Sequence, residues 1–231
     1  MKKYTLFFII PFLGLLGCPM EEEDSQPIQE PPLPEYSFIV DERDGNQYKI
    51  VTIADQTWFA ENLRYNKELT IGVEATAWEQ IWYANKPAYS PLNLQKDSVS
   101  KYGYLYNWFA ITKTENLCPE GWRIPSNSDW DKLINALGGS KVAGGKMKAK
   151  TMWDSPNKGA TNSSGFSAYP VEWRGATGDF QQSIGAYTYY WSSSEINFNS
   201  AWLYILSSSG EGFGAVDNAK NTGVSCRCLK N

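Results

Sequence analysis

Lys2 and Lys3 give the chain a positive start, an apolar run covers residues 6–16, and small Gly17 stands directly before Cys18. This is the order of a cleaved export signal. A membrane-spanning helix would need about 20 apolar residues, more than this run supplies. No other feature constrains the fold as strongly. Residues 1–17 are expected to be removed, and the remainder must fold outside the cytosol, where paired thiols oxidise.

Leu15-Leu16-Gly17-Cys18 resembles the bacterial lipobox, in which the cysteine thiol receives a diacylglycerol and becomes the new amino terminus. Cys18 is therefore the expected lipidation site, and the membrane an expected partner through that anchor. Residues 18–35 follow with Glu21-Glu22-Glu23-Asp24 and then Pro27, Pro31, Pro32 and Pro34. Such a segment buries too little apolar surface to fold and reads as a charged, partly extended tether. An acidic run directly behind a lipidated cysteine also resembles the surface-export signal of lipoproteins in the Bacteroidetes group. The expected location is the outer membrane, lipid-anchored and at the cell surface.

Residues 36–231 have the composition of one domain, long enough for a sizeable core and without a second linker. A net charge of -4 leaves no basic footprint, so nucleic acid is not an expected partner. Aromatic residues make up 15%, which suits a Trp-rich core or a sugar-binding surface. Once Cys18 is assigned to lipid, Cys118, Cys226 and Cys228 remain. Val224-Ser225-Cys226-Arg227-Cys228-Leu229 reads as a strand, so both of its thiols point to one face and only one can pair with Cys118. We take Cys228, with Cys226 as a buried free thiol; at this point the reverse pairing stays open.

Turn chemistry and periodicity give the elements. Asp44-Gly45-Asn46 between apolar β-formers predicts a hairpin, followed by a short strand over 56–59. Residues 65–100 show no clear period and read as a long, loop-rich insertion. After Pro125, Ser126 and Asp129 fit a capping box. Trp130, Leu133, Ile134 and Leu137 then recur on one helical face, and Gly138-Gly139 ends the helix. Strands are expected over 189–193, 201–207, 212–216 and 223–229. Helix in the middle with antiparallel strands at both ends predicts an α+β fold with one or two helices and long loops, its termini meeting in one sheet.

These residues also carry a family pattern. It runs through Gln56-Thr57-Trp58-Phe59-Ala60-Glu61-Asn62-Leu63, Gly103-Tyr104-Leu105-Tyr106-Asn107-Trp108 and Cys118-Pro119-Glu120-Gly121-Trp122-Arg123-Ile124-Pro125-Ser126. It continues in Ala160-Thr161-Asn162-Ser163-Ser164-Gly165-Phe166, Tyr190-Trp191-Ser192-Ser193-Ser194-Glu195 and the closing Arg227-Cys228. In this order they resemble the Fibrobacter succinogenes major paralogous domain family across the whole mature domain. The family usually has an apolar residue where this chain has Cys226, and that resemblance supports the pair Cys118 with Cys228. The resemblance implies an exported bacterial protein. The Trp-Arg-Ile-Pro-Ser motif, Trp-Ser-Ser and the final Arg-Cys further resemble C-type-lectin-like and formylglycine-generating-enzyme-like folds. The implied architecture is C-type-lectin-like, though fold by itself does not assign a function.

The chain has no histidine, which excludes Ser-His-Asp and Cys-His nucleophile pairs and HExxH zinc chemistry. Cys226-Arg227-Cys228 lacks the wider cysteine spacing of the copper-dependent formylglycine enzymes. The glycine-rich stretch 139–146 has Gly145 where a phosphate loop needs lysine, and it follows a helix instead of a strand. Glu61, Glu172, Asp179, Glu195, Glu211 and Asp217 could supply a glycosidase pair, which requires two carboxyl groups roughly 5–10 Å apart. Lectin-like domains commonly hold ligands on loops and strand ends near the C-terminal sheet. Glu195, Asn197, Trp202, Asp217 and Asn218 are accordingly the expected ligand-binding residues, with Asn199, Trp191 and Tyr204 nearby. Oxygen ligands of this kind suit calcium, but the signatures of calcium-dependent sugar binding are missing, and no metal or cofactor is expected. Trp58, Trp122 and Trp130 read as core, whereas Trp78 and Trp82 are candidates for an exposed platform. Asp97-Ser98-Val99 resembles a short O-glycosylation acceptor at Ser98. The expected function is a non-catalytic domain binding an extracellular glycan or protein. A carboxylate-based polysaccharide hydrolase and a structural envelope component are its rivals.

Overall fold

The hairpin signal at Asp44-Gly45-Asn46 is realised as two antiparallel strands, β1 (Ser37–Val40) and β2 (Gln47–Ile53), with Gly45 at φ 78° in the turn. A computed structural model describes residues 34–67, 69–71, 75–181 and 184–231. The expected leader, Cys18 and nearly all of the tether lie outside the described residues. The remaining elements are β3 (Gln56–Phe59), β4 (Thr70–Ile71), α1 (Ala75–Tyr83), β5 (Ala88–Pro91), α2 (Val99–Tyr102), β6 (Tyr104–Tyr106), α3 (Trp108–Lys113) and β7 (Trp122–Arg123). After them come α4 (Asn127–Ala136), α5 (Ala143–Met147), β8 (Tyr187–Glu195), β9 (Ser200–Ser207), β10 (Gly214–Ala219) and β11 (Leu229–Lys230). Among the described residues, no helix is long and apolar enough to cross a membrane.

The fold is mixed α+β, with short helices and largely antiparallel pairing in three sheets of order β1-β2-β3-β11-β7, β10-β9-β8 and β4-β5-β6. The ends of the domain do meet in one sheet: β1, β2 and β3 join β11, with Leu229 pairing with Trp58 of β3 and with Arg123 of β7. Three expectations need correction. Among the described residues five short α-helices form where one or two were expected, and residues 65–100 hold α1, β4, β5 and the start of α2 instead of loop alone. Residues 223–228 are likewise no continuous strand. Val224 bridges Tyr106, Gly223 bridges Arg174 and Ser225 bridges Tyr190, so this stretch spends its backbone on several partners.

The helix after Pro125 forms because its first turn is capped twice. The Asp129 carboxylate accepts from the Ser126 amide at 2.8 Å and the Ser126 hydroxyl at 2.6 Å, completing the capping box. It also takes both arms of Arg123, at 2.5 and 2.9 Å. Burial alone would raise this carboxyl, yet the Arg123 fork and Ser126 outweigh it and hold the group down to about 2. The buried face of α4 then sets Trp130 at the centre of an aromatic cluster. Its ring lies 4.6 Å from Trp58, 5.3 Å from Tyr204, 5.5 Å from Phe213 and 5.9 Å from Tyr190. Each such contact adds about 0.5–1.5 kcal/mol beyond burial.

A second core holds Trp191, Leu203, Tyr106 and all three domain cysteines. Cys118 is bonded to Cys228, and Cys226 is a buried free thiol, raised well above the ordinary range by burial. Glycine is required where α5 meets the loop before β10, since a Cβ on Gly144 would come within 2.2 Å of the Gly212 carbonyl oxygen.

Two outcomes follow for stability. Asp129 titrates lower in the folded chain than the roughly 3.9 of a free Asp, so its contribution is full above about pH 4 and disappears as pH falls toward about 2. Asp129→Asn should cost roughly 1–2 kcal/mol at pH 7, and urea unfolding at lower pH should show the two proteins converging. Cys118→Ser should cost roughly 2–5 kcal/mol. In the native parent, Cys226 should resist iodoacetamide and react only once denatured.

Candidate binding surface on the β8–β10 sheet

The β8–β9–β10 meander gathers the five expected ligand residues at one end of the sheet and divides them between its two faces. Glu195 lies opposite Ala201, Ala201 opposite Asn218, and Trp202 opposite Asp217. Strand alternation therefore sets Glu195 and Asn218 on the face of buried Ala201, with Trp202 and Asp217 on the other. Asn197 sits in the turn between β8 and β9.

Three of the five are occupied by internal structure. Glu195 Oε1 accepts from Lys220 Nζ at 2.5 Å; that ammonium also donates to the Phe198 carbonyl at 3.1 Å and lies 4.4 Å from the Trp108 ring centre. Asn197 Oδ1 accepts from the amides of Asn199 and Ser200 at 2.9 and 3.0 Å, closing the turn. Asn218 Oδ1 takes the Ala219 amide and the Thr222 hydroxyl, both at 2.8 Å. Asp217 is exposed and Trp202 half-buried, which leaves these two at the surface.

Other expected residues are placed less favourably. Trp78 is not a platform: it is 1% exposed, donates Nε1 to the Asn221 carbonyl at 2.8 Å and stacks 4.6 Å from Arg174. Helix α1 turns it inward onto Gly223, where a Cβ would stand 3.0 Å from the ring. The Trp82 side chain lies outside the described residues. Ser98 is half-buried and its hydroxyl donates to the Gln95 carbonyl at 2.6 Å. Among the weighed carboxylates, Glu61 accepts from the Lys49 amide at 2.9 Å, Asp179 accepts from the Thr177 hydroxyl at 3.2 Å and Glu172 is buried. Among the described residues, no three His, Cys, Asp or Glu side chains gather as metal ligands would.

The face shared by Tyr187, Tyr189, Ile205 and Val216 carries what the sequence reading missed. Tyr187 and Tyr189 alternate out of β8 with ring centres 6.1 Å apart and planes 29° apart. Trp173 continues the row 5.7 Å from Tyr189. Tyr187 is 38% exposed and the other two are half-buried. Burial, and then the neighbouring Tyr187, raise the Tyr189 phenol, so it keeps its proton as a donor. The arrangement is a strip of three rings, two of them phenols with hydroxyls at their tips and the third an indole, suited to a flat ligand with one apolar face and a polar rim. The Tyr-x-Tyr alternation was visible in the sequence, but Trp173 comes from a separate loop.

The surroundings are rigid. Lys148 is fully buried and donates to the carbonyls of Lys158, Ser207 and Gly210 at 2.8–2.9 Å, binding the loop after α5 to the end of β9. Desolvation lowers its pKa, with Glu211 partly opposing. If Glu195 is a structural partner for Lys220, Glu195→Gln should cost about 1 kcal/mol, the discount reflecting its exposure. Adding Lys220→Met should recover most of that loss in urea unfolding, because no buried cation then lacks its counter-charge.

No curated protein and no solved structure matches the chain. The family described as the Fibrobacter succinogenes major domain matches residues 51–230, from the middle of β2 through β11. That span takes in the capped α4 helix, the Cys118–Cys228 bridge and the whole β8–β10 sheet. The chain belongs to the Fibrobacter succinogenes major domain family.

Proposed function

We propose that this is an outer-membrane protein held at the cell surface by lipid on Cys18, and that its domain binds an extracellular ligand without chemistry. A glycan is favoured over a protein as that ligand on the sheet face. The observation that carries the reading is the row Trp173, Tyr189, Tyr187, with spacings of 5.7 and 6.1 Å. Sugars offer C–H faces to such rings and hydroxyls to the phenols, and two-torsion aromatic side chains lose little entropy on binding. We read the α+β fold as lectin-like, with a disulfide near the C-terminus, long loops and a ligand surface on the C-terminal sheet. The acidic, proline-containing segment behind Cys18 acts as the spacer that holds the domain off the membrane.

The test is a glycan array probed with the full chain in detergent. A specific polysaccharide should bind, and Tyr187→Ala and Tyr189→Ala should each weaken it about tenfold with thermal stability retained. If no glycan binds and a polysaccharide is instead turned over, the function is hydrolysis by the carboxylates. If neither assay responds, a structural envelope role replaces both.

A further inference from the structure

Strand β10 is the bare edge of its sheet. Its partner on one side is β9, and no described strand lies on the other, whereas β8 at the opposite edge is bridged by Ser225. Antiparallel pairing turns the amides and carbonyls of alternate residues away from the partner. Gly214–Asn218 therefore presents outward backbone donors and acceptors, while at Ala219 the amide is taken by Asn218 Oδ1 and the carbonyl by the Thr222 amide. Edges are usually blunted by lysine, proline or a covering loop. This one, Gly-Ala-Val-Asp-Asn-Ala, has neither residue, and Ala215, Val216 and Asp217 are exposed.

A groove of about 410 Å³ runs between this edge and α4. Asp131, Ile134 and Asn135 form its helical wall and Gly214 and Ala215 its strand wall; Ser140 lies at one end. Its floor is Tyr204 and Phe213, buried rings 5.3 Å apart. Ala215 and Asp217 share a face with Tyr204 and Trp202 by register, so the groove side of β10 leads on to the Asp217 carboxylate. Among the described residues, Asp131 is the one charged residue lining the groove, and no cation lines it. A second copy of the chain is a poor occupant. Antiparallel self-pairing matches only residues of the same orientation in the ladder, and the register centred on Asp217 sets the two carboxylates directly opposite each other.

We propose that this groove is a peptide site, in which an extended partner segment adds as a fourth strand on β10. An apolar side chain of the partner seats between Ile134, Tyr204 and Phe213, and flanking lysine or arginine meets Asp131 and Asp217. Backbone pairing supplies affinity and the groove supplies selectivity, the general logic of strand addition. By register the aromatic row lies on the opposite face of the sheet, and Tyr187 meets the groove only at the sheet's end, where a second cleft joins it to Phe213 and Gly214.

The probe is an acetylated and amidated peptide of alternating valine and threonine with lysine at both ends, measured by fluorescence anisotropy and amide shifts on the full chain. It should bind with shifts centred on Gly214–Ala219 and on Asp131, Ile134 and Asn135. A central proline in the peptide should weaken binding about tenfold through a lost ladder hydrogen bond. Glutamate ends should also weaken it. Ala215→Arg, at an exposed position, should abolish binding with the melting temperature unchanged, while Tyr187→Ala leaves peptide binding intact. Equal affinity for the proline peptide, shifts centred on Trp173 and Tyr187, or no binding up to about 1 mM would overturn the proposal. None of these outcomes bears on the glycan array.

Discussion

The structure depends on the backbone of residues 223–230, which all three sheets use. Within this short stretch the Phe59 amide donates to the Cys228 carbonyl at 2.9 Å and the Leu63 amide to the Cys226 carbonyl at 3.0 Å. The Tyr106 amide donates to the Val224 carbonyl at 2.8 Å, and Gly223 exchanges two 2.8 Å bonds with Arg174. The disulfide fastens the same segment to Cys118, 110 residues earlier. The contacts with Phe59 and Leu63 are among those of largest sequence separation in the described residues, so they cost much loop entropy to close. The covalent bridge removes part of that cost from the unfolded state.

Arg227 makes this arrangement specific. It is 1% exposed and donates to Asn62 Oδ1 at 2.7 Å, to the carbonyls of Phe59 and Phe166 at 2.9 Å and to the Ser167 carbonyl at 3.0 Å. The guanidinium also stands 4.6 Å from the Phe166 ring centre. Burial lowers its pKa, and a fork of carbonyls replaces the lost water. A lysine could not span four acceptors in this geometry, because its ammonium presents only three donors from one point. Asn62 in turn donates to the Tyr102 carbonyl and to Ser225 Oγ, at 2.8 and 3.2 Å, and so joins the middle sheet to the tail. The same strategy recurs at Lys148. Buried cations here stitch loop carbonyls together, and the polar groups at the end of the β8–β10 sheet are spent on turns. A rigid frame results, whose unspent chemistry lies on the aromatic face and the bare strand edge.

Local signals were read correctly wherever one stretch of chain contained its own answer. The Asp-Gly hairpin, the Ser126–Asp129 cap, the Gly138-Gly139 stop and the Trp130 face of α4 each depend on neighbours within a few residues. The segment 65–100 failed that reading because its order comes from elsewhere: Trp78 is buried by Arg174 and Gly223, neither of which is near it in sequence. The expected ligand set is partly engaged within the fold. Glu195, Asn197 and Asn218 have the composition of a ligand site, but only the bulged register of β8 and the fold of Lys220 onto Trp108 show that they are already engaged. Residues 223–228 read as a strand from their pattern, yet their partners change almost residue by residue.

The sequence by itself determined the α+β class, the family, the strand and helix positions set by turn and cap chemistry, and the exclusion of histidine-based catalysis. These follow from residue type and short-range periodicity, which folding preserves. Only the tertiary structure decided that Cys228 and not Cys226 bonds to Cys118, that Trp78 is core, that Trp173 lines up with two tyrosines and that β10 ends its sheet beside α4. Each of these depends on long-range pairing register. A shift of one residue exchanges the buried and exposed faces of a strand, and no local pattern records which register the distant partner will impose.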